Sequence, residues 1–251
     1  MSDLAKGNVT PADGTGPVQY YKRDFWSQEN LKHSRPHFRL EKAARIIERI
    51  AHGRALDVLD VGCGPAALMQ VLPGNVRYYG IDIAIHEQAP NLREADFLET
   101  PIDFDGRSFD LVIAQGVFEY VGTFQLQKFA EIRDILRADG TFVVTYTNFG
   151  HRQKEVYFPY SNIQPLAQFR AELSRYFSIE RSFPASHNWH HGQPTRPLAK
   201  ALNRRVSVGI PFISPVLAVE YFFVCSPRAR QAGNGRRAAG NLAQPGADGA
   251  A

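Results

Sequence analysis

The chain has 251 residues, of which 44% are hydrophobic and 22% charged, and its formal net charge at pH 7 is +4. This length and apolar content suffice for one sizeable α/β domain and do not require a second one. Cys63 and Cys225 are the two cysteines. They lie far apart along the chain, so they offer neither a disulfide framework nor a cysteine zinc cluster, and we expect a cytoplasmic protein.

Composition divides the chain into one ordered domain between two polar ends. Residues 1–16 are polar and lack a hydrophobic core segment, so we expect a flexible N-terminal arm and no signal peptide. Residues 17–227 are predicted to form a single domain. Residues 228–251 consist largely of Gly, Ala and Arg without apolar periodicity, and we expect a disordered tail.

The second half of the chain carries features that bear on membranes. Residues 151–251 hold 13 Lys+Arg against 5 Asp+Glu, which suits an anionic substrate or a membrane surface as well as a plain solvated surface. The apolar run 208–225 is interrupted by two prolines and a glutamate, so we interpret it as a loop feeding a strand and not as a transmembrane helix. Arg204 and Arg205 are candidates for contact with a phosphate on a lipid-linked or nucleotide-linked acceptor.

The predicted elements alternate between strands and helices. In chain order they are a helix at 38–52, a strand around 58–61, strands at 76–83, 92–97 and 108–117, a helix at 126–136 ended by Asp139-Gly140, a strand at 141–148, a helix with Pro165 in its first turn, and strands at 177–183 and 219–224. A further helix is predicted after the first strand, whereas the segment before 92 is too short for a full crossover helix. This alternation predicts a parallel, doubly wound sheet.

The segment 56–70 has the pattern of a buried strand, a glycine turn and a helix. Its apolar residues are rich in β-formers, and Gly62 and Gly64 permit positive φ and close backbone approach. The helix N-terminus directs its free N–H groups toward a ligand. We interpret the segment as a nucleotide-binding turn.

The glycine spacing alone leaves several kinds of nucleoside-binding protein open. Gly62-x-Gly64-x-x-Ala67 also satisfies the dinucleotide fingerprint. Asp60, however, places a carboxylate at the mouth of the site, where it favours a cationic ligand and repels a pyrophosphate. Asp82 lies 22 residues beyond Asp60 at a strand end, the spacing at which an acidic residue meets the hydroxyls of a ribose.

The segment Asp60-Val-Gly-Cys-Gly-Pro-Ala66 resembles motif I of the class I S-adenosylmethionine-dependent methyltransferases, of the small-molecule, type 11-like kind. Ala66 stands where the fuller motif has a third glycine. The stretch 109–112, Phe-Asp-Leu-Val, is similar to the family's motif before the catalytic mouth. The resemblance implies S-adenosylmethionine as cofactor and a Rossmann-like, doubly wound, seven-stranded sheet with an antiparallel last strand.

The resemblance also implies which residues bind the cofactor. Asp96 accepts a hydrogen bond from the adenine amino group, and Phe97 flanks the ring. The complete predicted cofactor site is Asp60, Gly62, Cys63, Gly64, Asp82, Ile83, Asp96, Phe97, Gln115 and Gly116.

The implied activity is methyl transfer to a small-molecule acceptor, and our hypothesis is O-methylation of a sugar, a glycolipid or another secondary metabolite. After the fourth strand the chain has neither an Asn/Asp-Pro-Pro-Tyr tetrad nor a Pro-Cys nucleophile, so we expect no nucleic-acid substrate. A non-catalytic S-adenosylmethionine-binding protein and an NAD-dependent oxidoreductase remain as alternatives.

The residue that removes the acceptor's proton is left open by the sequence. Where many small-molecule relatives have Glu-His, this chain has Glu119-Tyr120. The predicted catalytic candidates are His151, Tyr146 and His190, with His187 and His191 close to the last of these.

Two segments are candidates for shaping the acceptor pocket. Residues 17–37 contain an aromatic cluster that either closes over the site as a lid or anchors a terminal helix. Residues 184–216 are predicted to form an insertion. Its histidines have metal-ligand spacing, but no carboxylate or cysteine accompanies them, so we expect no bound metal.

Overall fold

The computed structural model describes residues 38–148, 164–187 and 218–229. These residues form helices α1 (Phe38–Ala51), α2 (Gln125–Ile135) and α3 (Leu166–Leu173), and strands β1 (Leu56–Val61), β2 (Val76–Asp82), β3 (Leu92–Glu94), β4 (Phe109–Ala114), β5 (Leu136–Thr147), β6 (Phe177–His187) and β7 (Ala218–Pro227). Short 3₁₀ helices occupy Ala67–Val71 and Gly122–Phe124. Among the helices of these three ranges, none is long and apolar enough to cross a bilayer.

The strands form one seven-stranded sheet in the order β3-β2-β1-β4-β5-β7-β6. The pairs from β3 to β5 are parallel, while β7 runs antiparallel to both β5 and β6. This topology confirms the predicted doubly wound sheet with an antiparallel last strand. The strand order reverses between β1 and β4, and ligands bind at such a reversal, outside the carboxyl ends of the strands.

Helices cover both faces of the sheet. On one face α1 buries Ala43, Ile46 and Ile47 against alternate residues of the central strands. Gly53, at φ +81°, ends this helix as predicted. On the other face α2 and α3 cover an aromatic cluster, whose members are Phe118, Phe129, Phe142, Phe169 and Phe177.

The helix predicted after the glycine turn is much shorter than expected. The structure has only a five-residue 3₁₀ helix, which ends at Leu72 in extended conformation. Pro73 follows immediately, and a proline disfavours helical backbone at the residue before it. The segment before β3 contains no helix, as its length predicts.

The boundary between α2 and β5 also differs from the prediction. The helix ends at Ile135 and the strand begins at once with Leu136, so the predicted Asp139-Gly140 helix stop lies inside β5. The pairing of β5 with β4 shifts register here. A Cβ on Gly140 would lie 2.9 Å from the Arg137 carbonyl oxygen, so this glycine is needed for a tight bend in the strand.

The predicted insertion begins later than expected. Strand β6 runs on through residues 184–187, with register shifts against β7. The Lys42 Nζ of α1 donates to the Ala185 carbonyl oxygen at 2.8 Å and holds this irregular strand end. The N-terminal arm, the candidate lid, the rest of the insertion and the tail beyond residue 229 lie outside the described residues.

We expect Phe129→Ala to lower the free energy of unfolding by about 3–5 kcal/mol, since this fully buried ring stacks on Phe118 at 4.6 Å and meets Phe169 edge-on at 5.7 Å. Urea denaturation measures the loss. Met69→Ala is the control because 45% of Met69 is exposed, and it should change the value by less than about 0.5 kcal/mol. Equal effects of the two substitutions would contradict the assignment of the core.

Candidate active site

The glycine turn follows the carboxyl end of β1 and lies beside the carboxyl end of the neighbouring strand β2. The Gly62 N–H donates to the Ile81 carbonyl oxygen at 2.8 Å, so the turn is fixed to the neighbouring strand. Gly62 has φ +73°, and a Cβ on it would lie 2.3 Å from Val117 Cγ2. Both the backbone conformation and the space therefore require glycine. Ala66 also adopts left-handed backbone, at φ 52°, which costs about 1–2 kcal/mol for a residue with a side chain and explains why the related motif has glycine there.

Asp60 is a buried carboxyl group on the face of the sheet that α1 covers. The Tyr78 hydroxyl donates to its Oδ2 at 2.9 Å. Burial raises the pKa of Asp60 to about 7, the hydrogen bond from Tyr78 opposes this shift, and the negative charge of Asp82 adds to it. Ionised Asp60 thus gains from any cation that binds nearby.

Asp82, at the end of β2, is 1% exposed. Its Oδ2 accepts the Gly64 N–H at 2.7 Å, and its Oδ1 accepts the Ala84 N–H at 3.3 Å. The spacing argument predicted a ligand contact for this residue. The structure shows that the carboxylate fixes the glycine turn, and the ligand contact stays a prediction.

The Cys63 side chain packs against β2 in the space that is open because residue 80 is a glycine and has no side chain. A Cβ on Gly80 would lie 2.8 Å from Cys63 Sγ and 2.9 Å from Leu92 Cδ2. Burial raises the pKa of the Cys63 thiol well above its ordinary value, so the thiol is protonated at neutral pH. Cys63 packs the glycine turn against the sheet, and Ile83 follows directly after β2.

Asp96 and Phe97 follow β3, which ends at Glu94 and is shorter than predicted. The Asp96 Oδ1 accepts the Leu98 N–H at 2.9 Å, and its backbone carbonyl oxygen accepts the Thr100 N–H at the same distance. Phe97 is partly buried against the core. A tight turn thus holds both side chains at the sheet edge that also carries the glycine turn.

Gln115 and Gly116 follow β4, on the other side of the strand-order reversal. The Gly116 N–H donates to Thr145 Oγ1 at 2.9 Å, and this bond fixes the turn to β5. Gln115 Oε1 is buried and has no hydrogen-bond partner among the described residues. An unpartnered buried oxygen at this edge indicates a place for a ligand's hydrogen-bond donor.

The structure also brings together a carboxylate network that the sequence did not predict. Glu119 Oε1 accepts both the N–H and the hydroxyl of Thr147, each at 2.8 Å. Across the sheet, Arg39 Nη1 donates to both oxygens of Glu220 at 2.9 and 3.0 Å. The one available signal was a glutamate inside the apolar run 208–225, which we interpreted only as an interruption of that run.

Of the three predicted catalytic residues, Tyr146 is the one that the structure describes. Tyr146 is fully buried, and its ring stacks on Phe169 with centroids 3.9 Å apart. Burial, followed by the charge of Glu119, raises the pKa of its hydroxyl far above neutrality, so Tyr146 packs the core and is a poor proton acceptor. His151 and His190 lie outside the described residues.

We expect Asp60→Asn to gain stability relative to the wild type as the pH rises. Because the folded pKa of Asp60 is raised to about 7, the folded state loses stability as the pH climbs from the unfolded pKa toward 7, and asparagine removes this penalty. Urea denaturation at pH 5 and pH 8 should show the relative gain growing by about 1–3 kcal/mol. Asp139→Asn, an exposed control, should show no such trend. A gain for Asp60→Asn that is the same at both pH values would contradict the raised pKa.

One family model matches part of the chain. Residues 59–144 match the family model of the methyltransferase domain. No curated protein matches the chain.

Solved structures share the fold at low sequence identity. The CurJ carbon methyltransferase aligns with a TM-score of 0.57 and 14% identity over 85% of this chain and 61% of that one. The CcbJ methyltransferase from Streptomyces caelestis gives 0.55 and 15% over 77% and 91%. The N-methyltransferase NodS from Bradyrhizobium japonicum, in complex with S-adenosyl-L-homocysteine, gives 0.53 and 12% over 81% and 99%. Residues 59–144 therefore match a methyltransferase domain model, and the chain shares its fold with solved S-adenosylmethionine-dependent methyltransferases.

Proposed function

We propose that the protein transfers a methyl group from S-adenosylmethionine to a small-molecule acceptor. The observation that carries this proposal is the pair of buried carboxyl groups, Asp60 and Asp82, beside the glycine turn at the strand-order reversal. Negative charge at this position attracts a sulfonium cation and repels the pyrophosphate of a dinucleotide. The electrostatics therefore favour the methyl donor over NAD.

The residues at the sheet edge match the functional groups of this cofactor. Asp82 can accept ribose hydroxyls, and Asp96 with Phe97 supplies an acceptor and an apolar surface for adenine. Gly62 and Gly64 bring bare backbone close to the ligand, while Cys63 and Ile83 border the two turns. Gln115 has a buried oxygen that needs a donor, and Gly116 fixes the turn that carries it.

S-adenosylmethionine supplies a methyl carbon that is already activated by the positive sulfur. What the protein contributes is alignment of the acceptor with that carbon and removal of water. The buried carboxylates and the two fixed turns suit that task, because they form a preorganised edge that needs little rearrangement on binding.

The proposed reaction is O-methylation of a sugar, a glycolipid or another secondary metabolite in the cytoplasm. The basic second half, including Arg204 and Arg205, is compatible with a phosphate-bearing or lipid-linked acceptor at a membrane surface. The similar structures include both an N-methyltransferase and a carbon methyltransferase, so nitrogen and carbon are the alternatives to oxygen as the acceptor atom.

His151 and His190 remain proposed as groups that remove the acceptor's proton or shape its pocket. Both can be tested with any sugar, glycolipid or polyketide that takes up label from methyl-labelled S-adenosylmethionine. We expect His151→Ala and His190→Ala to lower this turnover at least about tenfold while leaving the affinity for S-adenosylhomocysteine within about twofold. Equal loss of turnover and cofactor affinity would count against a role toward the acceptor.

For the cofactor site, we expect Asp82→Asn to weaken S-adenosylhomocysteine binding about 10–100-fold, because a charged hydrogen-bond acceptor contributes about 1.5–3 kcal/mol. Isothermal titration calorimetry measures the dissociation constants, with NAD as the competing ligand class. Asp139→Asn is the matched control because it removes an exposed carboxylate far from the turn.

Two results would contradict the proposed function. One is binding of NAD by the wild type without binding of S-adenosylmethionine or S-adenosylhomocysteine. The other is equal affinity of the wild type and a folded Asp82→Asn variant, which would remove Asp82 from the site.

A further inference from the structure

Two buried side-chain atoms in the described part of the chain have no hydrogen-bond partner, Gln115 Oε1 and Glu119 Oε2. Both belong to the short turn that follows β4, and both are hydrogen-bond acceptors. Leaving a buried acceptor unsatisfied costs about 1–3 kcal/mol. The turn is therefore suited to a ligand that brings at least two hydrogen-bond donors.

Glu119 is held in a fixed position. It is 2% exposed, and its Oε1 accepts two hydrogen bonds from the backbone and the side chain of Thr147. Because one oxygen is anchored in this way at the carboxyl end of β5, the other oxygen has a defined position at the sheet edge. Such anchoring is what a group that acts on a substrate requires.

Among the residues that the structure describes, none with a positive charge forms an ion pair with Glu119. Glu220 stands opposite Thr147 in the pairing of β5 with β7, and Arg39 of α1 neutralises it. Burial, followed by the charge of Glu220, raises the pKa of Glu119 to about 7. A carboxylate in this state gains from a positively charged or proton-donating neighbour.

Titratable groups also lie on the described elements packed against this network, among them Lys42, Tyr146 and Tyr221. Burial raises the pKa of the Tyr221 hydroxyl. Lys42 of α1 has its pKa lowered to about 8 by burial, a shift that the charge of Glu220 opposes, and its Nζ is engaged with the carbonyl oxygen of Ala185. Tyr146 of β5 stays protonated at neutral pH, because burial raises its pKa. Glu119, with a pKa of about 7, therefore changes charge around neutral pH, whereas Lys42, with a pKa of about 8, begins to lose its charge at the upper end of that range.

We propose that Glu119 Oε2 accepts the proton of the nucleophile that receives the methyl group, and that Gln115 Oε1 accepts a second hydrogen bond from the same molecule. The proposal rests on the proposed function. It assigns removal of the proton to Glu119, so that His151 and His190 keep the other proposed role, shaping the acceptor pocket. In the balanced step, the nucleophile's lone pair forms a bond to the methyl carbon, the carbon–sulfur bond breaks with its electrons on sulfur, and the nucleophile's proton passes to Glu119. The acceptor class is an oxygen or nitrogen nucleophile that carries at least one hydrogen.

Sinefungin tests this proposal without knowledge of the acceptor. In this analogue a carbon bearing an amine replaces the sulfur and its methyl group, so a protonated amine occupies the place where the nucleophile meets the methyl group. S-adenosylhomocysteine lacks that group but shares the rest of the molecule. The ratio of the two dissociation constants therefore reports on what faces the transferred methyl group.

At pH 8 we expect the wild type to bind sinefungin about tenfold more tightly than S-adenosylhomocysteine, and Glu119→Gln to reduce this ratio to about one. Glutamine preserves the size of the side chain and an oxygen for Thr147. The wild-type ratio should also fall as the pH is lowered through 7, since protonation of Glu119 removes its charge. Glu180→Gln, which removes an exposed carboxylate of β6, is the control and should keep the wild-type ratio.

Each outcome decides the matter. A ratio that is the same in the wild type and in Glu119→Gln overturns the role of Glu119 and leaves the cofactor site intact. Failure of the wild type to bind either ligand overturns the proposed function itself. Asp60 is the other carboxyl group with a pKa of about 7 near the proposed site. If Glu119→Gln does not fold, the pH series of the Asp60→Asn variant decides, because a ratio that is flat there between pH 5.5 and pH 8 overturns the proposal.

Discussion

The hydrogen bond from the Gly64 N–H to the Asp82 carboxylate is the interaction on which the cofactor side of the site depends. It spans 2.7 Å and joins the turn after β1 to the end of β2. Without it the turn would be tied to β2 mainly by the Gly62 and Cys63 N–H groups, which both donate to the Ile81 carbonyl oxygen. One buried carboxylate thus sets the shape of the loop and the charge that a ligand meets. Such double use explains why a strand-end aspartate in this fold is almost completely buried and still suited to a ligand.

The proposed acceptor side of the site is held together in a different way. There the carboxylates of Glu119 and Glu220 are held by β5 and α1, and the order of strands brings the carboxyl ends of β4 and β5 beside the amino end of β7. The antiparallel last strand matters for this reason. Because β7 runs in reverse, its first residues, and not its last ones, reach the edge where ligands bind.

Local patterns in the sequence predicted the fold and led to the proposed cofactor residues, but they did not lead to the residues proposed to face the acceptor. Asp60, the two glycines and Asp82 fall within one strand-turn-strand unit, so their spacing carries the information. The contact between Arg39 and Glu220 joins residues 181 positions apart, and that between Thr147 and Glu119 joins residues 28 apart. Neither pair leaves a local pattern. Strand alternation puts Tyr146 on the face covered by α3, together with Phe142 and Val144.

The close packing at Gly80 has a consequence for how this domain can diverge. The space that a side chain at position 80 would need is already taken by Cys63 Sγ and Leu92 Cδ2. Replacement of Gly80 by alanine is therefore tolerable only in a chain that also carries a smaller residue at position 63 or 92. Among descendants of this sequence, a larger residue at position 80 should therefore occur together with a smaller residue at position 63 or 92. That correlation would link the second residue of the glycine turn to a strand nearly twenty positions away, through volume alone.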